Sequence, residues 1–309
     1  MNFYMSENHL LILFGYGKIE IQGCERMEYI PIQCKSAIRK VHGGMPYQHD
    51  VNIYRGCEHG CLYCYALYSH DYLEDEKFYD HIYYKENIVE ILEKEISKKS
   101  WQKKIINFGS VSDSYQPCEK KLELMRDVLK LMIKYQNPVN ISTKSTLILR
   151  DLDLINELSK VAMVNITCTI TCADEAIQKI IEPNAASSVE RMKVLQLIKQ
   201  KTDASVGILM MPIIPYMTDS VENFEAIYKL AQNIGLDYIV PGTLYLRGKT
   251  RPYFLNSIRQ YDENMYWKLT KLYSQKDALK EYKKGIYQRL NQVRKVYHLE
   301  NKLLKKENE

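Results

Sequence analysis

Val51-Asn52-Ile53-Tyr54 is a short β-branched run that passes straight into Arg55-Gly56-Cys57-Glu58-His59-Gly60-Cys61-Leu62-Tyr63-Cys64-Tyr65. The first four residues predict a strand, and the rest a loop carrying three cysteines at spacings of four and three. Downstream the same unit recurs without cysteines. Asn87 to Lys98 has Ile88, Ile91, Leu92 and Ile96 at helical spacing, and Lys104 to Phe108 predicts the second strand. A helix over Glu119 to Tyr135 follows, with Leu122, Met125, Leu129 and Met132 on one face. Strands are predicted at Val139 to Thr143, Val161 to Ile170, Ser205 to Ile214 and from Asp237 to Val240. Helices over 151–160, 174–181, 189–199 and 220–233 fall between them.

Six successive βα units imply a parallel sheet, because each return crossover needs a helix. Six are too few for the closed eight-stranded barrel. The expected fold is therefore α/β: a partial, open (β/α)6 TIM-like barrel with a C-terminal helical extension, a doubly wound open sheet being the structural alternative. The expected organisation is an N-terminal extension over 1–48, the barrel over 49–246 and a helical region over 247–309. In that last region Leu279, Tyr282, Ile286, Leu290, Val293 and Tyr297 form one apolar stripe, with Gly285 a candidate kink.

The chain has 309 residues, 46% apolar and 26% charged, with a net charge of +5. From Lys276 onward ten Lys/Arg face five Asp/Glu, so the whole surplus falls in the tail and the body is neutral. A solvated amphipathic helix is the common reading of such a tail, and a nucleic-acid backbone contact the rarer one. No run approaches the roughly 18 apolar residues of a membrane helix. The short Leu10–Phe14 run lacks the basic lead-in of a signal peptide. The expected compartment is the cytosol, where eight cysteines suggest metal or redox chemistry before disulfides.

Cys57, Cys61 and Cys64 are the expected metal ligands. A cubane [4Fe–4S] cluster offers four irons, so three thiolates leave one open for a substrate or cofactor. Gly56 and Gly60 each precede a cysteine and permit the left-handed turns that wrap such a loop. The alternative is structural zinc completed by His59 or His70, although zinc ribbons pair their cysteines as C-x2-C twice. Cys24, Cys34, Cys168 and Cys172 are scattered and read as free buried thiols.

C-x3-C-x2-C after the first strand of a βα array resembles the radical S-adenosylmethionine (SAM) superfamily. The wording RGCEHGCLYCYA is similar to its spore photoproduct lyase-like branch, often labelled DNA repair photolyase, and the likeness runs from about Ile32 to Phe254. Ser112-Asp113-Ser114-Tyr115-Gln116-Pro117-Cys118-Glu119 resembles the branch's T-D-x-Y-Q-P-x-E signature, Thr143-Lys144-Ser145 its T-K-S, and Glu182-Pro183 with Arg191 its E-P-x7-R.

The resemblance implies that a reduced [4Fe–4S] cluster cleaves SAM to a 5′-deoxyadenosyl radical that takes hydrogen from a substrate. It implies cofactor contacts at Tyr65, Ser112, Asp113, Lys144, Thr167, Glu182 and Arg191, with Lys144 suited to the methionine carboxylate. Tyr63 and Tyr65 flank Cys64 and are the candidate catalytic tyrosines. Implied partners are a flavodoxin- or ferredoxin-like electron donor and a nucleic-acid substrate. The alternatives are a radical enzyme acting on a peptide or metabolite, and a non-catalytic zinc- or cluster-dependent nucleic-acid-binding module. One departure matters. Photoproduct lyases keep a hydrogen-donating cysteine three residues before the Asp, and here that position is Ser110. An O–H bond is much stronger than an S–H bond, so repair of thymine photoproducts does not carry over, even with Cys118 nearby.

Overall fold

A computed structural model describes residues 27–41 and 47–299; Cys24 lies outside them. The chain begins with β1 (Glu28–Ile32), β2 (Ile38–Lys40), β3 (His49–Val51) and β4 (Tyr54–Arg55). A 3-10 helix (Tyr65–Leu73), β5 (His81–Lys85), α1 (Ile88–Ile96) and β6 (Ile106–Phe108) follow. Next come α2 (Glu119–Leu122), α3 (Leu124–Tyr135), β7 (Val139–Thr143) and α4 (Leu152–Val161). β8 (Val164–Thr169), α5 (Glu175–Ile181), α6 (Ser188–Lys201), β9 (Ser205–Ile213), α7 (Val221–Ile234) and β10 (Tyr238–Thr243) complete the βα array. The chain then closes with α8 (Thr250–Tyr261), α9 (Glu263–Ser274) and α10 (Lys276–Tyr297).

The main sheet has the order β10-β9-β8-β7-β6-β3-β2. β3, β6, β7, β8, β9 and β10 are the six parallel strands of the expected partial barrel, and β2 adds an antiparallel edge. The sheet does not close on itself. Its outer face is apolar: Ile106, Phe108, Val139, Ile141, Val164 and Ile166 share one core with Leu129, Met132, Leu158 and Leu195 of the helices.

The inner face is polar. Asp50, Asn107, Asn140 and Asn165 stand in register across four neighbouring strands, and all are buried. Asn107 donates to Asp50 at 2.9 Å and Asn165 to Asn140 at 3.0 Å. Two residues further along, Ser142 and Thr167 pair through their hydroxyls at 2.8 Å. Period-2 alternation hides this row in the sequence, because single amides between Ile and Val look like ordinary strand filler.

Three expectations are corrected. The first strand splits after Val51: Tyr54 leaves the barrel to pair with Tyr84, giving a second sheet of order β1-β5-β4. The helix predicted over Glu119 to Tyr135 breaks at Glu123 (φ +52°), and the Glu119 carboxylate caps the new start by accepting from the Met125 amide at 3.0 Å. α10 runs through Gly285 as one helix. It is docked rather than fully solvated, burying Ile286, Leu290 and Val293 in the main core and pairing Arg289 with Asp219 at 2.9 Å.

Candidate active site

The cysteine loop leaves β4 at the mouth of the barrel, and backbone geometry dictates its first residue. Gly56 has φ +81°, and a Cβ there would stand 2.5 Å from the carbonyl oxygen of His81. Gly60 also adopts positive φ, at +66°. Several elements then staple the loop. Gln116 accepts from the Glu58 amide at 3.0 Å and donates to the Gly56 carbonyl at 3.3 Å. Asn184 donates to the Glu58 carbonyl at 3.0 Å, and the Leu62 amide donates to the Ile181 carbonyl at 3.0 Å. Tyr79 and Thr250 donate to the carbonyls of Cys61 and Cys64, at 2.7 and 2.9 Å.

Cys57 and Cys61 are buried, Cys64 is half-buried, and all three are free thiols. Each lies close enough to another to feel its charge. Burial pushes Cys61 up to about 12 against the pull of the Lys144 and Arg191 cations. Burial likewise raises Cys57 and Cys64. Buried thiols are unreactive until a metal replaces their protons. The donor set therefore fits a cluster that takes three thiolates and draws on nearby cations. The two histidines of the zinc alternative are engaged at one ring nitrogen each, their Nδ1 atoms being buried without a partner among the described residues. The Nε2 atom of His59 faces Asp113 at 3.0 Å, and that of His70 faces the His81 carbonyl at 3.1 Å. Among the described residues no three His, Cys, Asp or Glu side chains close on a single-ion site.

Asp113 ties the loop to the barrel. One carboxylate oxygen accepts from the Tyr115 amide and the Thr143 hydroxyl, the other from the Lys144 amide and His59, at 2.7–3.0 Å. Burial pushes its carboxyl up, but these donors and the His59 charge outweigh burial and hold it down at about 2. With four donors the carboxylate has no free lone pair. Ser112 donates to the Tyr54 carbonyl at 2.9 Å, which leaves its oxygen able to accept.

Glu182 and Arg191 pair with each other in the interior, both being fully buried. Arg191 also donates to the carbonyls of Ala186 at 2.8 Å and Thr169 at 2.5 Å. The Tyr63 hydroxyl donates to the same Glu182 carboxylate. Lys144 places its ammonium 5.7 Å from the centre of the Tyr63 ring and feels the charges of Cys61, Glu182 and Asp113. Tyr65 is exposed and donates to the Ser110 carbonyl, bridging the cysteine loop to the loop after β6. Ser110 itself donates to Asp50 and, at 3.0 Å, to Asn52. Cys118 lies buried at the start of α2, its amide on Glu58 at 2.8 Å.

The three cysteines, Lys144, Asp113, Tyr63, Glu182 and Arg191 thus meet at one end of the strands. Thr167 joins the inner polar face instead. The clasp by Gln116 and Asn184 is not foreseen in the sequence: Gln116 stands there only as a letter of a motif, and Asn184 carries no signal of its own.

Residues 51–231 match the radical SAM superfamily. The chain belongs to that superfamily. An uncharacterised protein of Mycobacterium tuberculosis is 29% identical over 229 residues, covering 72% of this chain and 67% of that protein. Another, from Methanocaldococcus jannaschii, is 28% identical over 271 residues, covering 83% of this chain and 91% of it. Among solved structures, spore photoproduct lyase complexed with dinucleoside spore photoproduct is similar in fold, with a TM-score of 0.58 at 12% identity. The match covers 74% of this chain and 66% of the lyase, just under two thirds. As a member of that superfamily it is a radical SAM enzyme, with a [4Fe–4S] cluster and SAM as its cofactors. No helix among the described residues is long and apolar enough to cross a membrane.

Proposed function

We propose that this radical SAM enzyme takes a hydrogen atom from a base or sugar of a nucleic acid or nucleotide. When bound, the reduced cluster and SAM supply methionine and the 5′-deoxyadenosyl radical that performs this abstraction. The observation that carries the substrate class is the polar inner face beside the cysteine loop. Amides and hydroxyls at Asn107, Asn140, Asn165, Ser142 and Thr167 suit a planar ligand rich in donors and acceptors, as bases are. The fold likeness to a lyase complexed with a dinucleoside photoproduct supports the same class.

Lys144 is the residue to hold the methionine carboxylate, since its ammonium stands among Cys61, Glu182 and Tyr63. Asp113, Glu182 and Arg191 are assigned to holding the frame, because their polar atoms are already engaged by protein partners, whereas the Ser112 oxygen can still accept from the cofactor. Tyr65 shields the mouth. The electron comes from a flavodoxin- or ferredoxin-like protein. Ser110 is bound to Asp50 and Asn52 and offers no thiol, which argues against return of hydrogen from that position.

The test is anaerobic turnover of the reconstituted enzyme with SAM and reductant, with and without single-stranded DNA or RNA. Nucleic acid should stimulate 5′-deoxyadenosine release and yield a mass-shifted nucleoside after digestion. Release that no nucleic acid changes, with unaltered nucleosides, overturns the substrate class and leaves the radical chemistry standing.

A further inference from the structure

Beside the mouth, at the open edge of the sheet, lies a cavity of about 440 Å³ between β2, the 3-10 helix and the small sheet. Arg39, Lys40, Arg55 and Lys85 line it, against a single carboxylate, Asp50. That carboxylate is taken by Asn107 and Ser110. None of the four cations has an ion-pair partner among the described residues; Arg55 reaches only the Ser69 carbonyl, at 3.5 Å. Glu95 lies near, but its oxygens are occupied by the Ser36 hydroxyl and the amides of Ala37 and Ile38.

A second, independent observation points to a ligand. Ser69 also lines the cavity and is 95% buried, yet its hydroxyl has no hydrogen-bond partner among the described residues. A buried hydroxyl without a partner is costly, and the four cations, half-buried at Arg55 and Lys85 and exposed at Arg39 and Lys40, repel one another across the cleft. Both deficits vanish if an anion with several acceptor oxygens enters. Burial, with repulsion from Arg55 and Arg39, also outweighs the pull of Cys34 and Glu95 and lowers the Lys85 ammonium below its usual value.

We propose that this cleft is a phosphate-binding subsite, gripping the phosphodiester of a nucleotide adjacent to the one that reacts. It deepens the substrate class proposed above and rests on it. The position suits the task. Asp50 and Asn52 belong both to the cavity wall and to the network that holds Ser110 at the mouth, so a phosphate here lies next to the reacting nucleotide. Tyr68 and Tyr72, also on the wall and exposed, give bases flanking that phosphate faces to stack on. Arginine is the better fork for two phosphate oxygens, and two of the four cations are arginine.

The experiment measures anisotropy of a labelled single-stranded oligonucleotide of about a dozen nucleotides with the cluster-loaded protein, across a salt series. Arg39→Gln and Arg55→Gln/Lys85→Gln should weaken binding about tenfold for each phosphate-binding cation removed and flatten the salt slope by about 0.7 for each. Lys280→Gln on α10 should change neither. Cluster absorbance and thermal melting identify a variant that has not folded. Arg39 is exposed, so its variant keeps the test alive if the double variant fails. Oligonucleotide binding that the cleft variants leave intact overturns the subsite while the substrate class stands. Cleft-dependent binding of adenosine monophosphate or inorganic phosphate, without oligonucleotide binding, confirms a phosphate site and overturns the nucleic-acid reading. Binding of none of these probes overturns the proposal.

Discussion

Tyr63 shows how a residue's neighbours can change its reading. Next to Cys64 in sequence, it is a candidate for hydrogen-atom chemistry. In space its hydroxyl is committed to Glu182, which is itself held by Arg191 in a fully buried pair. A buried ion pair survives only when its spare valences are satisfied, and here Tyr63 and the carbonyls of Thr169 and Ala186 satisfy them. The motif E-P-x7-R makes the pair legible, but not its depth, because nothing local says that α5 and α6 bury their junction. Tyr63→Phe removes one donor to a charged acceptor, a loss of about 1.5–3 kcal/mol. The melting temperature should fall while SAM cleavage per loaded cluster is retained. Loss of cleavage at unchanged melting temperature would instead make Tyr63 a catalytic residue. Arg191→Met gives the scale for comparison, since it strands a buried carboxylate at a cost of about 3–5 kcal/mol.

At the scale of elements, the cysteine loop is a short segment held from outside. Its cysteine spacing and glycines are local, and therefore readable in the sequence. Its clasps are not. Gln116 and Asn184 reach it across 58 and 126 positions, and neither residue type announces such a role. The same distinction separates the strands that are legible in the sequence from those that are not. β7, β8 and β9 carry their own β-branched runs, whereas β1 and β4 are defined by pairing with β5. Gly56 belongs to this scale because its conformation sets how the loop leaves β4. Gly56→Ala places a side chain in the left-handed region, at about 1–2 kcal/mol, and drives a Cβ to 2.5 Å from the His81 carbonyl. That carbonyl is part of β5 and gives little. The expected result is a folded protein with far less iron per chain after reconstitution. Full iron content in Gly56→Ala would show that the loop does not need this turn.

Across the whole molecule, the barrel is legible because βα alternation repeats and each repeat is decided by its own periodicity. The polar inner row and the basic cleft are not, since they arise only when residues from several strands are brought into register. The cysteine loop joins these levels: strands aim it, loops from distant repeats clasp it, and α8 touches it through Thr250. Its three thiols lie near one another, and a cluster held by all of them would be the segment's strongest cross-link. Anything that binds the folded loop and not the unfolded chain stabilises the whole protein by mass action. Because the clasps reach the loops after β6 and α5, that stabilisation should be shared by the barrel rather than confined to the loop. Anaerobic calorimetry of the loaded enzyme and of the chelator-treated protein tests this. The loaded form should melt higher, by about 2–4 °C for each kcal/mol gained in a chain of this class. Cys61→Ala should melt with the chelated protein and ignore added iron and sulfide. Equal melting of loaded and stripped wild type would mean that the barrel and the cysteine loop are energetically independent.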